Sequence, residues 1–147
     1  MSIDNLDRKI LKELVSNSRS SFRQIARRCK VSIATVSSRV KKLEKTGIIK
    51  GYTIMLDHEK LGYELTAITE ITVSKGKLLE VEKEISHMPN VCGVYDVTGL
   101  TDTIVLAKFK NRKELSRFCK SLLAMEFIER TNTHIVLNTV KEDFRLI

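Results

Sequence analysis

Apolar positions recur every three to four residues in three successive stretches at the start of the chain. From Asp4 to Asn17, Leu6, Ile10, Leu11 and Leu14 form one stripe, which predicts a helix. Asp4 can cap it, Asp7 lies in the favourable first turn, and Asn17-Ser18-Arg19 breaks it. Ser20 or Ser21 caps a second helix running to about Cys29. Ser21 followed three residues later by Gln24 fits a capping box. Phe22, Ile25 and Ala26 face inward, and Arg23, Arg27 and Arg28 face outward. After Lys30-Val31 comes SIATVSSRVKKLEKTG, with Val36, Val40 and Leu43 at i, i+4, i+7. Ser32 can accept hydrogen bonds from the amides of the first turn, and Gly47 can supply a left-handed stop.

The pattern then changes period. Ile48 to Leu56 alternates weakly and predicts a strand, and residues 57–62 read as a polar hinge ending in Gly62. Beyond the hinge the elements alternate as β-α-β-β-α-β. Strands are expected at Glu64–Ser74, Val91–Thr98, Thr103–Lys110 and Arg130–Val140. Helices are expected at Lys77–Met88, stopped by Pro89, and from Asn111 onward with Leu115, Phe118, Cys119 and Leu122 inward. This order specifies an α+β fold, the ferredoxin-like split βαβ, behind a helix-turn-helix unit. The implied division is 1–51, 52–62 and 63–147. The third strand is apolar on both faces: Val105, Ala107 and Phe109 on one, Ile104 and Leu106 on the other. Two helices cover one face only, so the other is expected to pair with a second copy of the chain.

Charge sharpens the division. The 147 residues carry a net +8, and residues 1–51 hold 13 Lys and Arg against 4 Asp and Glu, a net +9. The remainder is −1. A basic module joined to a near-neutral one implies a polyanionic partner for the first. No apolar run approaches the ~20 residues of a membrane span, and the start of the sequence lacks a signal-peptide pattern, so a cytoplasmic location is expected. Cys29, Cys92 and Cys119 are far apart and outside any metal-ligand spacing. His58, His87 and His134 are isolated, no nucleophile elbow or glycine-rich phosphate loop occurs, and Glu80, Glu82 and Glu84 read as one solvated helix side. Nothing in these motifs points to an enzyme, a metal or a cofactor.

Helix, short turn, helix is the unit that places its second helix in a major groove. Ser32, Thr35, Ser37, Ser38, Arg39, Lys41 and Lys42 fall off the apolar stripe of that helix. Small hydrogen-bonding residues let a helix sink into the groove, and an Arg can reach a guanine. Arg39, Thr35 and Ser38 are therefore candidates for base edges, and Arg23, Arg27, Lys41, Lys42 and Lys50 for phosphates. The plainer reading is a solvated helix, with Arg39 in an ion pair to Glu44 or to an acid of the first helix.

LDRKILKELVSNSRSSFRQIARRCKVSIATVSSRVKKLEKTGIIKGY resembles the DNA-binding half of the Lrp/AsnC transcriptional regulators, also called feast/famine regulators. The likeness rests on the opening Leu-Asp, Ile25-Ala26, Ser32, Val36, Arg39, Leu43-Glu44, Gly47-Ile48-Ile49 and Gly51-Tyr52. One departure is Lys30, where that family usually has Gly in the inter-helix turn; a non-Gly residue held left-handed there costs about 1 kcal/mol. The second half resembles the family's ligand-sensing domain. The resemblance implies dimers that pair through their sheets, possible higher assembly such as an octamer, and a small amino-acid effector. It also assigns Gly99-Leu100-Thr101-Asp102 to the family's G-x-x-D element near an effector pocket. Gly99, Thr101 and Asp102 are thus effector candidates, with Thr131 and Thr133 on the last strand. An ordinary hairpin turn would carry the same Gly and Asp. The expected function is sequence-specific transcription regulation on double-stranded DNA. The alternatives are a DNA-compacting architectural protein of low specificity, or an amino-acid-sensing subunit.

Overall fold

A computed structural model describes residues 3–147; Met1 and Ser2, the first two residues of the expected DNA-binding segment, lie outside the described residues. The chain forms two compact units. One comprises Met1–Met55 together with Lys141–Ile147, and the other is Leu56–Val140. The terminal seven residues thus group with the first unit, a return that periodicity does not register.

The first unit holds α1 (Asn5–Ser16), α2 (Phe22–Cys29) and α3 (Ile33–Lys45). Each starts on a side chain that accepts from the first turn: Asp4 from the Asp7 amide, Ser21 from Gln24, and Ser32 from Thr35. The first two are complete capping boxes, with Asp7 and Gln24 reaching back to the cap amide. Gly47, at φ +73°, ends α3. Its amide bonds to Glu44 O and that of Ile48 to Leu43 O, the paired bonds of a Schellman stop. Ile10, Leu14, Ile25, Ala26, Val36 and Val40 form the core between the three helices.

The strand expected over Ile48–Leu56 is absent; these residues run through bends into chain without regular structure. A strand exists only by pairing, and this stretch has no ladder partner in its unit. Tyr52, Ile54, Met55 and Leu56 are exposed, while the Tyr52 hydroxyl donates to Glu44 at 2.8 Å and ties the segment to α3.

The second unit holds β1 (Leu65–Val73), α4 (Leu78–Ser86), β2 (Val91–Asp96), β3 (Thr103–Phe109), α5 (Arg112–Leu123) and β4 (Ile128–Ile135). The strands form one antiparallel sheet in the order β2-β3-β1-β4. Ala67, Ile71 and Val73 of β1 and Val105, Ala107 and Phe109 of β3 face the helices, against Val81, Ile85, Phe118 and Leu122. The last strand differs from the expectation of 130–140. It starts at Ile128, through an irregularity opposite Thr72 and Val73, and stops at Ile135. Its partner β1 begins at Leu65, so only the Val136 amide, bonded to Thr66 O, continues the pairing.

The side of the sheet away from the helices carries Ile68, Ile104, Leu106 and Tyr95, joined across strands by the pairs Ile68–Leu106 and Tyr95–Ile104. Nothing within the unit packs there as a layer. Val105 therefore lies on the helix side, and Leu106 belongs to the uncovered side.

Candidate nucleic-acid interface

The burial of Val36, Val40 and Leu43 fixes which side of α3 looks outward. Ala34, Ser38, Lys41 and Lys45 are exposed there and Ser37 is half-buried, at helical spacings of three and four. Ser32 and Ile33 extend this surface at the amino end. The Ser32 cap leaves the opening turn of α3 ordered, and the Thr35 hydroxyl lies 2.8 Å from that of Ser32. Thr35 thus belongs to the cap as much as to the outward surface. Sequence reasoning passed over Ile33 and Ala34, because apolar residues at a helix start read as core. Here Ile33 is 46% exposed, and a side chain of that kind suits a thymine methyl.

Arg23 and Arg27 stand exposed on α2, and Lys50 is exposed after α3. Lys41 is exposed and Lys42 half-buried. Among the described residues none of these five cations is in an ion pair, so their charge is available to a polyanion. Arg28 differs, because its guanidinium lies 2.6 Å from Glu13 of α1.

Arg39 also differs from its first assignment. Its guanidinium bonds to the carboxylates of Asp4 and Asp7, the latter at 3.0 Å. Asp7 is only 1% exposed. Burying that carboxylate needs a charged partner, and Arg39 supplies it. The contact with Asp4 holds the guanidinium pKa above its usual value, with Asp7 adding to it. The Asp4 carboxyl lies below the usual range, chiefly through the Asp7 amide and then through Arg39. The structure therefore uses Arg39 to fasten α3 to the start of α1. The sequence contained the signal: two acids at the α1 start and one Arg off the α3 stripe.

In the second unit, Gly99 sits in the β2–β3 turn at φ +131°. The Asp102 carboxylate accepts the Val73 amide at 2.8 Å, and the Thr101 hydroxyl donates to Ile71 O at 2.7 Å. Both side chains latch the turn to the end of β1. Thr131 and Thr133 pair with Ile71 and Thr69 and share their helix-facing side, away from this turn's outer surface. The Thr133 hydroxyl lies 3.1 Å from that of Thr69. The five effector candidates are thus divided between two sides of the sheet. On the outer side a cavity of about 330 Å³ is lined by Glu70, Thr72, Leu100, Thr101, Arg130 and Asn132. Apart from Thr101, no candidate contributes. Of the missed residues, Arg130 and Asn132 alternate with Thr131 and Thr133 along β4, so for these two a one-residue choice of face decided the omission. Among the described residues no group of His, Cys, Asp and Glu could hold a metal ion, and no helix is long and apolar enough to cross a membrane.

Residues 66–146 match the family model for the Lrp/AsnC ligand binding domain, and residues 3–50 match that for a winged helix-turn-helix DNA-binding domain. An uncharacterized HTH-type transcriptional regulator of Pyrococcus furiosus is 51% identical over 146 residues, covering 99% of both chains. The HTH-type transcriptional regulator FL11 of Pyrococcus horikoshii is 34% identical, covering 98% of this chain and 95% of its own. Among solved structures, E. coli AsnC superposes with a TM-score of 0.90 at 27% identity, covering 99% of this chain and 100% of its own. A transcriptional regulator from Neisseria meningitidis in complex with L-Met gives 0.90 at 27% identity, covering 99% and 97%. With a helix-turn-helix unit followed by a ligand-binding unit of matching fold, this chain belongs to the Lrp/AsnC family of transcriptional regulators.

Proposed function

We propose that this regulator works as a homodimer, binds a pseudo-palindromic operator through α3, and responds to a small amino acid through its second unit. The observation that carries the DNA reading is the outward side of α3. A capped amino end and small residues, Ala34, Ser37 and Ser38, are followed by Lys41, with the unpaired cations Arg23, Arg27 and Lys50 in the same unit. Small residues permit close approach to base edges, and the cations replace counterions along the phosphates. The uncovered sheet side, with Ile68, Ile104 and Leu106, supports dimer formation, and two-fold symmetry in the protein calls for two related half-sites. The ligand-binding domain match and the L-Met complex of the Neisseria relative support an amino-acid effector. A regulator of transcription acts where the DNA is, which supports a cytoplasmic location; no helix among the described residues is able to cross a membrane.

A second reading has one specific observation in its favour. With Arg39 held by Asp4 and Asp7, α3 presents no unpaired Arg for a guanine. Contacts would then weigh toward phosphate, as in an architectural protein that compacts DNA, where assembly into octamers would suit wrapping. The ratio of affinities for a bound promoter and for random DNA at fixed salt separates the two. A ratio of about 10³ or more supports operator recognition, and a ratio near one supports compaction.

A further inference from the structure

A second cavity of the same unit, of about 600 Å³, lies on the helix-covered side, and no residue of the β2–β3 turn lines it. Local geometry brings four parts of the chain together there. The Lys108 amide donates to Asn90 O and the Asn90 side-chain amide to Lys108 O, both at 2.9 Å, which holds the Met88-Pro89 turn beside the end of β3. Leu65 opposes Phe109, so Tyr63 comes level with the start of α5. On α5, Glu114, Arg117, Phe118 and Ser121 share one side at spacings of three and four. Tyr63, Met88 and Phe118 give an apolar wall, and Phe109 backs Phe118 at 5.2 Å between ring centroids. Several polar groups of the lining are already engaged: Ser121 Oγ donates to Phe118 O at 2.7 Å, and a Glu114 carboxylate oxygen accepts the Lys110 amide at 2.9 Å. Others are free. Lys110 and Arg117 form no ion pair among the described residues, and the Tyr63 hydroxyl makes no hydrogen bond among them. The Lys110 ammonium lies 5.4 Å from the Tyr63 ring centroid, which holds it at the apolar wall. Two cations face one carboxylate, so the lining is net positive.

We infer that this cavity takes a small organic acid with a flat apolar body and no ammonium group, an arylalkanoate, with its carboxylate between Lys110 and Arg117 and its ring against Tyr63, Met88 and Phe118. The donors without partners are the ones an anion needs: an ammonium, a guanidinium and a phenolic hydroxyl. A guanidinium can engage a carboxylate bidentately, and charge-assisted bonds are stronger than neutral ones. Two aromatic rings and a thioether suit a flat ring, which packs offset or edge-on against the former and meets the sulfur of the latter. The positive lining selects a monoanion over a zwitterion. An α-ammonium would meet Lys110 and Arg117, and the Glu114 carboxylate is held at the start of α5 by the Lys110 amide. The volume falls within the range of small-molecule sites. This site is independent of the effector reading above: it lies on the other side of the sheet, uses other residues and takes a different class of ligand.

The test uses the full chain and isothermal titration with indole-3-propanoate and 3-phenylpropanoate. Both should bind saturably, and absence of binding by both up to about 10 mM overturns the inference. The methyl ester of indole-3-propanoate keeps the ring and removes the charge, and it should bind about tenfold or more weakly. An ester that binds as tightly as the acid overturns the role of the two cations. L-Tryptophan has the same ring and chain with an added ammonium. At a concentration equal to that of the acid it should leave the acid's affinity within about twofold, and displacement of the acid overturns the monoanion assignment. Arg117→Gln and Lys110→Gln should each weaken the acid about tenfold. Lys113→Gln removes the same charge from α5 outside the lining and should change the affinity by less than about twofold. Equal losses in all three variants would mean that net charge alone acts, and would overturn the site. The ester and tryptophan arms use the unaltered protein, so they decide the matter even if a variant folds poorly.

Discussion

Lys30→Gly is the substitution for which the structure gives the clearest arithmetic. Lys30 follows α2 at φ +57°, ψ +45°, and is the sole non-glycine residue with positive φ among the described residues. The conformation is imposed by the turn: the Val31 amide bonds to Ala26 O at 3.0 Å, and α3 must start two residues later. A left-handed L-residue costs about 1–2 kcal/mol. Glycine removes that cost but adds about 0.4–1 kcal/mol of unfolded-chain entropy. The net expectation is a helix-turn-helix unit more stable by about 0.5–1 kcal/mol, whereas Lys30→Ala keeps the strain and stays near neutral. A chain of two units does not unfold as one two-state system, so the readout is amide hydrogen exchange within the unit. The amides of Ile25, Val36 and Val40 should exchange about two- to fivefold more slowly in Lys30→Gly. Equal exchange in the Gly and Ala variants would refute the argument. Both variants lose the same charge. If Lys30 touches a phosphate, the salt slope of DNA binding falls by about one in each, independently of stability.

The other predictions follow from the same geometry. Arg39→Ala should destabilise the first unit by leaving Asp7 buried without its charge partner, and should weaken promoter and random DNA alike, measured by exchange and by binding at fixed salt. The Asp4 carboxyl lies below its ordinary 3.8 because it accepts from the Asp7 amide and from Arg39. Its contribution to stability is therefore complete above pH 3.8 and disappears as pH falls through the lowered value, so an acid titration of Asp4→Asn should be flatter there. Leu106→Lys should leave the second unit folded and give a monomer by light scattering. Val105→Lys should unfold that unit, at a cost of about 3 kcal/mol or more, since Val105 is fully buried under the helices. Asp102→Ala should cost about 1–3 kcal/mol by stranding the Val73 amide, measured by urea unfolding of the second unit.

Local physics made most elements legible in the sequence itself. Asp4, Ser21, Ser32 and Asn111 are caps whose bonds reach only three residues, so sequence alone placed the starts of α1, α2, α3 and α5. The burial of Val36, Val40 and Leu43 followed from their spacing, and so did the two-unit plan from the change of period and of charge. What needed tertiary structure were the relations across distance. Residues 48–56 carry strand-like alternation, yet no ladder forms in their unit, because hydrogen-bond partners are supplied by other segments. The last strand ends at Ile135 because β1 begins at Leu65, a limit written 70 residues away. Arg39 looks like a base reader on its own helix and becomes a clamp only when the fold brings Asp4 and Asp7 within reach. Glu70 and Arg130 are unremarkable in sequence; the β1–β4 register alone makes them neighbours, since a shift of one residue would send either to the opposite side of the sheet.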